Sequence, residues 1–217
     1  MGGRNRRFLP FDLEEGGLVP LEGEVPLRLY STLEFWGGRR KEGVWLLPRP
    51  LLLPLSLADN KGFPFPEEVE AVLLPGQKED LLRILRSFSR AVLDPTGGVR
   101  GFLLANGTGS GKTYVFGAFT RILADWGWRV AVFSPNEDIR EATLAVFKAL
   151  GIPAPEGMVL TYAKLEALDR PAVLVYDEAH LLKNAHGARA SSRGRKAYEL
   201  SKGCLLYTSP SPRDRQK

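Results

Sequence analysis

The residues best suited to chemistry are gathered in the string ANGTGSGKT at 105–113, directly behind the apolar run GFLL. Backbone N–H groups can turn inward around an anion only where residues take positive φ and no side chain intrudes, which requires glycine. Gly107, Gly109 and Gly111 meet that need, with Thr108 and Ser110 between them. Lys112 is spaced to reach the β- and γ-phosphates of a nucleotide, and the Thr113 hydroxyl to take one position on Mg2+. A helix opening here adds the partial positive charge of its N-terminus. One position departs from G-x-x-x-x-G-K-[ST], because Asn106 stands where the first glycine would be. Asn enters left-handed backbone more readily than most residues, so the departure is mild.

A second string, VLVYDEAHLLKN at 173–184, ends an apolar run on two carboxylates. The pattern puts Asp177 at the C-terminal mouth of a parallel strand, where open α/β sheets bind their ligands. There Asp177 would hold Mg2+ through water, and Glu178 would activate the water that attacks the γ-phosphate. Alone, such a pair is a solvated strand end. With a phosphate loop about 65 residues upstream, the two strings read as one site. His180 is read as a structural hydrogen-bonding group rather than a proton-transfer residue.

Positioning these residues requires alternating strands and helices. Glu79–Leu93 carries apolar residues at helical spacing, and Pro95 with Gly97–Gly98 ends the helix. Gly101–Ala105 reads as a strand, and 112–125 as a helix. Arg129–Ser134 is a second strand. Pro135 and Asn136 open a helix that stops at Gly151. Met158–Thr161 reads as a short strand, Tyr162–Leu168 as a short helix and Ala172–Tyr176 as a strand. Short continuous apolar strands separated by helices predict a parallel sheet covered on both faces. Residues 1–70 are different: rich in Pro and Gly, with β-type runs at Val25–Ser31 and Val44–Leu47 around the turn-like GGRRKEG at 37–43. They predict a small β-rich or irregular N-terminal region in which Trp36 and Trp45 are local core.

The ordered strings LLPGQ, GFLLANGTGSGKT, VAVFSP, VLTYAKL and DEAHLLKN resemble the motifs of superfamily 2 helicases and translocases. DEAHLLKN is especially similar to the Swi/Snf-type double-stranded-DNA translocases, and GFLLANGTGSGKT also to the strawberry-notch group. The resemblance covers roughly 72–203. It implies a RecA-like P-loop lobe at 71–203 that binds ATP with Mg2+ and works on nucleic acid, by its nearest likeness double-stranded DNA. It also implies that Gln77 recognises adenine, although by residue type alone Gln77 reads as an exposed loop residue. Thr161, and Ser134 with Pro135, fall where such enzymes contact the nucleic-acid backbone. A second RecA-like lobe in the same natural chain would supply an arginine that stabilises charge on the transferring phosphoryl. The chain is therefore expected to be the N-terminal part of a longer motor, binding ATP with little turnover by itself. Two alternatives stand beside this reading: another P-loop ATPase, such as an AAA-type assembly, or a nucleotide-dependent binding module without work output.

Composition sets the remaining limits. The longest apolar run, LLPRPLLLPLSL at 46–57, contains Arg49 and three prolines, so no membrane segment is read. No apolar stretch follows the basic N-terminal residues, which leaves a cytoplasmic setting as the expectation. The string CLLYTSPSPRD at 204–214 breaks in character from the text before it, and one reading frame of a common transposon-based sequencing adapter encodes the same eleven residues. Residues 204–217 are accordingly expected to be an artefactual tail that packs against nothing. The only cysteine, Cys204, lies in it, so no cysteine chemistry is inferred. Arg213, Arg215 and Lys217 against Asp214 give the tail +2 of the total +5, leaving a mildly basic +3.

Overall fold

The computed structural model of the chain describes residues 9–12, 17–58, 63–95, 101–105, 109–168, 172–182, 191–202 and 205–208. The N-terminal region forms a three-stranded antiparallel sheet, with β3 (Val44–Pro48) between β1 (Leu18–Leu21) and β2 (Arg39–Lys41). The β2–β3 hairpin turns on Glu42 and Gly43, both with positive φ, as a two-residue turn matched to strand twist demands. Val25–Ser31 is not the strand that its residue types suggest. Pro26 holds φ at −58° ahead of a 3-10 turn, Leu29 N–H donates to the Pro26 carbonyl, and helix α1 (Tyr30–Phe35) follows. A proline that cannot donate to a ladder but is preset for a helical start explains the difference. The proline-broken run continues into α2 (Leu52–Ala58), and α3 (Glu67–Val72) leads to the long helix α4 (Pro75–Leu93).

The second sheet is parallel, with strand order β4–β8–β7–β5–β6. Its members are β4 (Gly101–Leu103), β5 (Val130–Ser134), β6 (Val159–Thr161), β7 (Val173–Tyr176) and β8 (Leu205–Thr208). Helix α5 (Lys112–Asp125) connects β4 to β5, and α6 (Glu137–Ala149) with the single turn α7 (Pro155–Met158) connects β5 to β6. A 3-10 segment, Tyr162–Ala167, leaves β6, and α8 (Ser192–Lys202) precedes β8. Helix α6 starts and stops where its sequence signals: the Asn136 side chain accepts from Ile139 N–H at 3.0 Å, and Gly151 follows with φ +64°.

Strand β8 corrects the expectation for the tail. Leu205–Thr208 pairs in parallel with β4 on one side and β7 on the other, so the backbone of this part of residues 204–217 joins the sheet. The physical reason is local. A βα crossover through α8 delivers the chain to a slot between two parallel strands, and Leu-Leu-Tyr-Thr is a short apolar run of the kind that fills such a slot, whatever its origin.

Alternation along the central strands covers both faces of the sheet. Val130 and Val132 of β5 and Val173 and Val175 of β7 face the side packed by α4, α5 and α6. Ala131, Phe133, Leu174 and Tyr176 face the other side, where Tyr162, Leu165 and Ala197 close over them. The N-terminal region shares the first of these cores. Leu33, Trp36, Trp45, Leu47, Leu51, Leu53 and Leu57 are buried in one cluster with Leu81, Leu85 and Phe88 of α4 and Phe119 of α5. Trp36 Nε1 donates to the Val92 carbonyl and Trp128 Nε1 to that of Pro50, each at 2.8 Å. Both tryptophans of residues 1–70 are thus buried, as core residues are. Among the described residues, no helix is long and apolar enough to cross a membrane.

Candidate functional site

Parallel pairing of β4, β8 and β7 brings the carboxyl ends of β4 and β7 to one edge of the sheet. The phosphate-loop string leaves β4 at that edge, and its description resumes at Gly109. Asn106, Gly107 and Thr108 lie outside the described residues. Gly109 and Gly111 have φ of +76° and +74°, and a Cβ added at Gly109 would meet nothing within 4 Å. Both are left-handed positions where an L side chain would be strained. Gly111 is the N-cap of α5, so Lys112 and Thr113 form the first turn of that helix, both half-buried. The Ser110 hydroxyl is buried and meets no hydrogen-bonding group among the described residues. A cradle of positive-φ glycines, a helix N-terminus, a lysine and an unsatisfied buried hydroxyl fits the chemistry of a phosphate.

Gln77 is not on a loop. It sits in the first turn of α4, half-buried, where its Oε1 accepts from Leu74 N–H at 2.9 Å and its Nε2 donates to the Ser110 carbonyl at 3.0 Å. Contact is close enough that a Cβ on Gly111 would lie 2.3 Å from Gln77 Nε2. Pro75 explains the earlier helix start, since its fixed φ suits the first helical position and its missing N–H is one that a helix start leaves unpaired anyway.

Asp177 stands at the mouth of β7, 7% exposed, with its N–H donating to the Phe133 carbonyl at 3.0 Å. Burial pushes its carboxyl up from 3.8 to about 6. The Glu178 charge adds to that rise, while the Glu178 backbone N–H and the Lys112 ammonium pull it back. The lysine of the loop and the aspartate of the strand therefore act on each other across the site. Glu178 follows with φ +52°, a conformation that costs a residue bearing a Cβ about 1–3 kcal/mol unless its surroundings hold it. Its Oε2 lies 3.2 Å from His180 Nδ1, which lacks hydrogen-bond geometry to any group among the described residues. The pair sets His180 beside the Glu178 carboxylate. Lys183 and Asn184 lie outside the described residues.

Register places the ends of β5 and β6 beside this turn. Ser134 pairs with Thr161, and Phe133 with Tyr176 just before Asp177. Ser134 is fully buried and Thr161 7% exposed, with Pro135 half-buried next to them. One residue of the site escaped the sequence reading. Tyr162, directly after β6, donates its hydroxyl to the Asp177 carbonyl. The signal was a tyrosine at a strand end, but only the fold could say which backbone it would meet.

Comparison with known families adds one finding. Residues 70–160 match the family described as Type III restriction enzyme, res subunit, a family of helicase superfamily 1/2 ATP-binding lobes. By that match this stretch is of the helicase type of ATP-binding domain, and its mixed α/β fold agrees. It spans Gln77, the phosphate loop and Ser134, and stops short of the acidic turn. No curated protein matches the chain.

Proposed function

We propose that the chain is the ATP-binding first lobe of an ATP-dependent DNA helicase or translocase, coupling Mg-ATP hydrolysis to movement on nucleic acid. What supports this most is the geometry behind β4: Gly109 and Gly111 in left-handed backbone ahead of a helix that opens on Lys112, at the sheet edge where the buried Asp177 ends β7. In this reading Gly107, Thr108, Gly109, Ser110 and Gly111 wrap the phosphates, Lys112 neutralises them, and Gln77 faces the adenine. Thr113 and Asp177 are oxygen donors of the kind Mg2+ takes, with nucleotide and water completing its shell. Bound there, Mg2+ would neutralise charge on the transferring phosphoryl. Glu178 would orient and deprotonate water for attack.

Double-stranded DNA is the partner that the Swi/Snf-like string DEAHLLKN favours. A second RecA-like lobe would contribute the finger arginine, typically worth ~10^3–10^5 in rate. We also assign residues 204–217 to adapter read-through, on the strength of the eleven-residue identity.

The test is ATP hydrolysis by the full-length motor, the chain joined to its second RecA-like lobe, with and without duplex DNA, as parent and as Glu178→Gln. Duplex DNA is expected to raise the parent rate. The variant should retain ATP affinity while losing on the order of 10^2-fold or more in rate. A Glu178→Gln chain that hydrolyses ATP at the parent rate would sink the mechanism. A parent that binds Mg-ATP but ignores DNA and RNA alike would replace the motor with a nucleotide switch.

A further inference from the structure

The acidic turn is held from a direction that neither carboxylate explains. Both backbone groups of Asp177 are engaged: its N–H by the Phe133 carbonyl on β5, and its carbonyl by the Tyr162 hydroxyl at the end of β6. That carbonyl belongs to the peptide linking Asp177 to Glu178. Turning this peptide plane over changes ψ of Asp177 and φ of Glu178 together, and would carry Glu178 out of its left-handed φ of +52° into ordinary backbone. The strained conformation is therefore not the one the chain would choose locally. Something must hold the peptide: its N–H, that of Glu178, is taken by the Asp177 carboxylate, and the Tyr162 hydroxyl grips its oxygen. Leu181 N–H, donating to the Glu178 carbonyl at 3.0 Å, fixes the far side of the same residue.

We infer that Tyr162 is a positioning residue of the site, a strut from the end of β6 that keeps the Asp177–Glu178 peptide, and with it the two carboxylates, in one orientation; this rests on the ATP-binding reading above. The strut is itself rigid. Tyr162 is 2% exposed, its ring lies 6.1 Å from that of Tyr176, and it packs in the core formed by Phe133, Leu165 and Leu174. Tyr176 is anchored in turn by its own hydroxyl, which donates to the Ala197 carbonyl at 3.2 Å on α8. A phenol buried only to fill space would need some acceptor, and many carbonyls would serve. This one takes the oxygen whose release would free the turn. Beyond Tyr162, the segment exposes Ala163, Lys164, Glu166 and Ala167, so the strut also joins a solvent-facing segment to the buried acidic turn.

The experiment uses Tyr162→Phe, which keeps the ring and its packing and removes only the hydroxyl. ATP affinity is measured by calorimetry in EDTA and again with saturating Mg2+, alongside single-turnover hydrolysis and thermal melting. A purely structural role would lower the melting temperature and shift both affinities together. A positioning role leaves the Mg2+-free affinity within about twofold, and cuts the gain on adding Mg2+ by about fivefold or more, because an unsatisfied buried carbonyl lets the turn relax. Hydrolysis should fall at least as far as that gain. Tyr162→Leu, which also loses the ring, should show the same loss of gain together with a larger fall in melting temperature. A Tyr162→Phe chain whose Mg2+-dependent gain and hydrolysis equal the parent's overturns the inference, whatever its melting temperature. A parent chain that binds no ATP in either condition overturns the ATP-binding reading instead, and this inference with it.

Discussion

At the residue scale the site is a balance between burial and charge, and Asp177 carries most of it. In the fold its carboxyl titrates near 6 rather than 3.8 because burial disfavours the anion more than Lys112 favours it. A carboxyl raised in this way contributes stability below its unfolded value, and that contribution is lost as pH rises through about 6. Asp177→Asn carries no charge at any pH. The melting temperature of the variant relative to the parent should therefore climb between pH 4 and pH 6 and level off above, read by thermal melts in metal-free buffer. Mg-ATP should then restore the parent and not the variant, since an amide lacks the charge that complements Mg2+. A melting-temperature difference that stays flat across that window would show that burial at Asp177 is not the governing term.

At the element scale, glycine marks close approaches as well as turns. A Cβ on Gly117 in α5 would lie 2.8 Å from Leu150 Cδ1 and 3.1 Å from Phe147 Cε1. Gly117 is thus where α6 crosses α5, and Gly117→Ala should cost about 1–3 kcal/mol by overpacking, measured by urea denaturation. An unchanged midpoint would mean that the Leu150 and Phe147 side chains yield to the added methyl and that the helix propensity of Ala offsets the rest. Much at this scale was legible in the sequence. The helix from Lys112, the strand ending at Ser134, the Asn136 cap and the strand ending at Tyr176 follow from periodicity and punctuation. Three things did not follow, each for a physical reason. Pro26 turned a β-prone run helical, Pro75 began α4 ahead of its apolar stripe, and Leu205–Thr208 found a slot that only the assembled sheet creates. The candidate site could be proposed from its loop and carboxylates, since glycines, lysine and acids announce their chemistry. Tyr162 could not, because a hydroxyl declares no acceptor until the fold supplies one.

At the scale of the whole molecule, the boundary near residue 70 is one of composition and not of packing. Trp36, Trp128, Phe11 and Phe88 contact one another ring to ring across it. Arg129 ties β5 back to the N-terminal residues through its N–H to the Pro10 carbonyl at 2.7 Å and an ion pair with Asp12 at 2.9 Å. A core shared in this way should melt as one unit. Calorimetry is expected to give a single transition, with Trp128→Ala lowering it by a loss of about 3–5 kcal/mol. Two resolved transitions, only one of them moved by Trp128→Ala, would mean that the N-terminal region folds independently of the sheet.

The account stands or falls on whether the loop behind β4 binds nucleotide phosphate. The most direct measurement is calorimetric titration of ATP with Mg2+ into the parent chain and into Lys112→Ala. Losing a charge-assisted contact to phosphate should weaken binding by about ten- to a hundredfold, with melting temperature little changed because Lys112 is only half-buried. Equal affinity in parent and variant, or no binding to either, would contradict it.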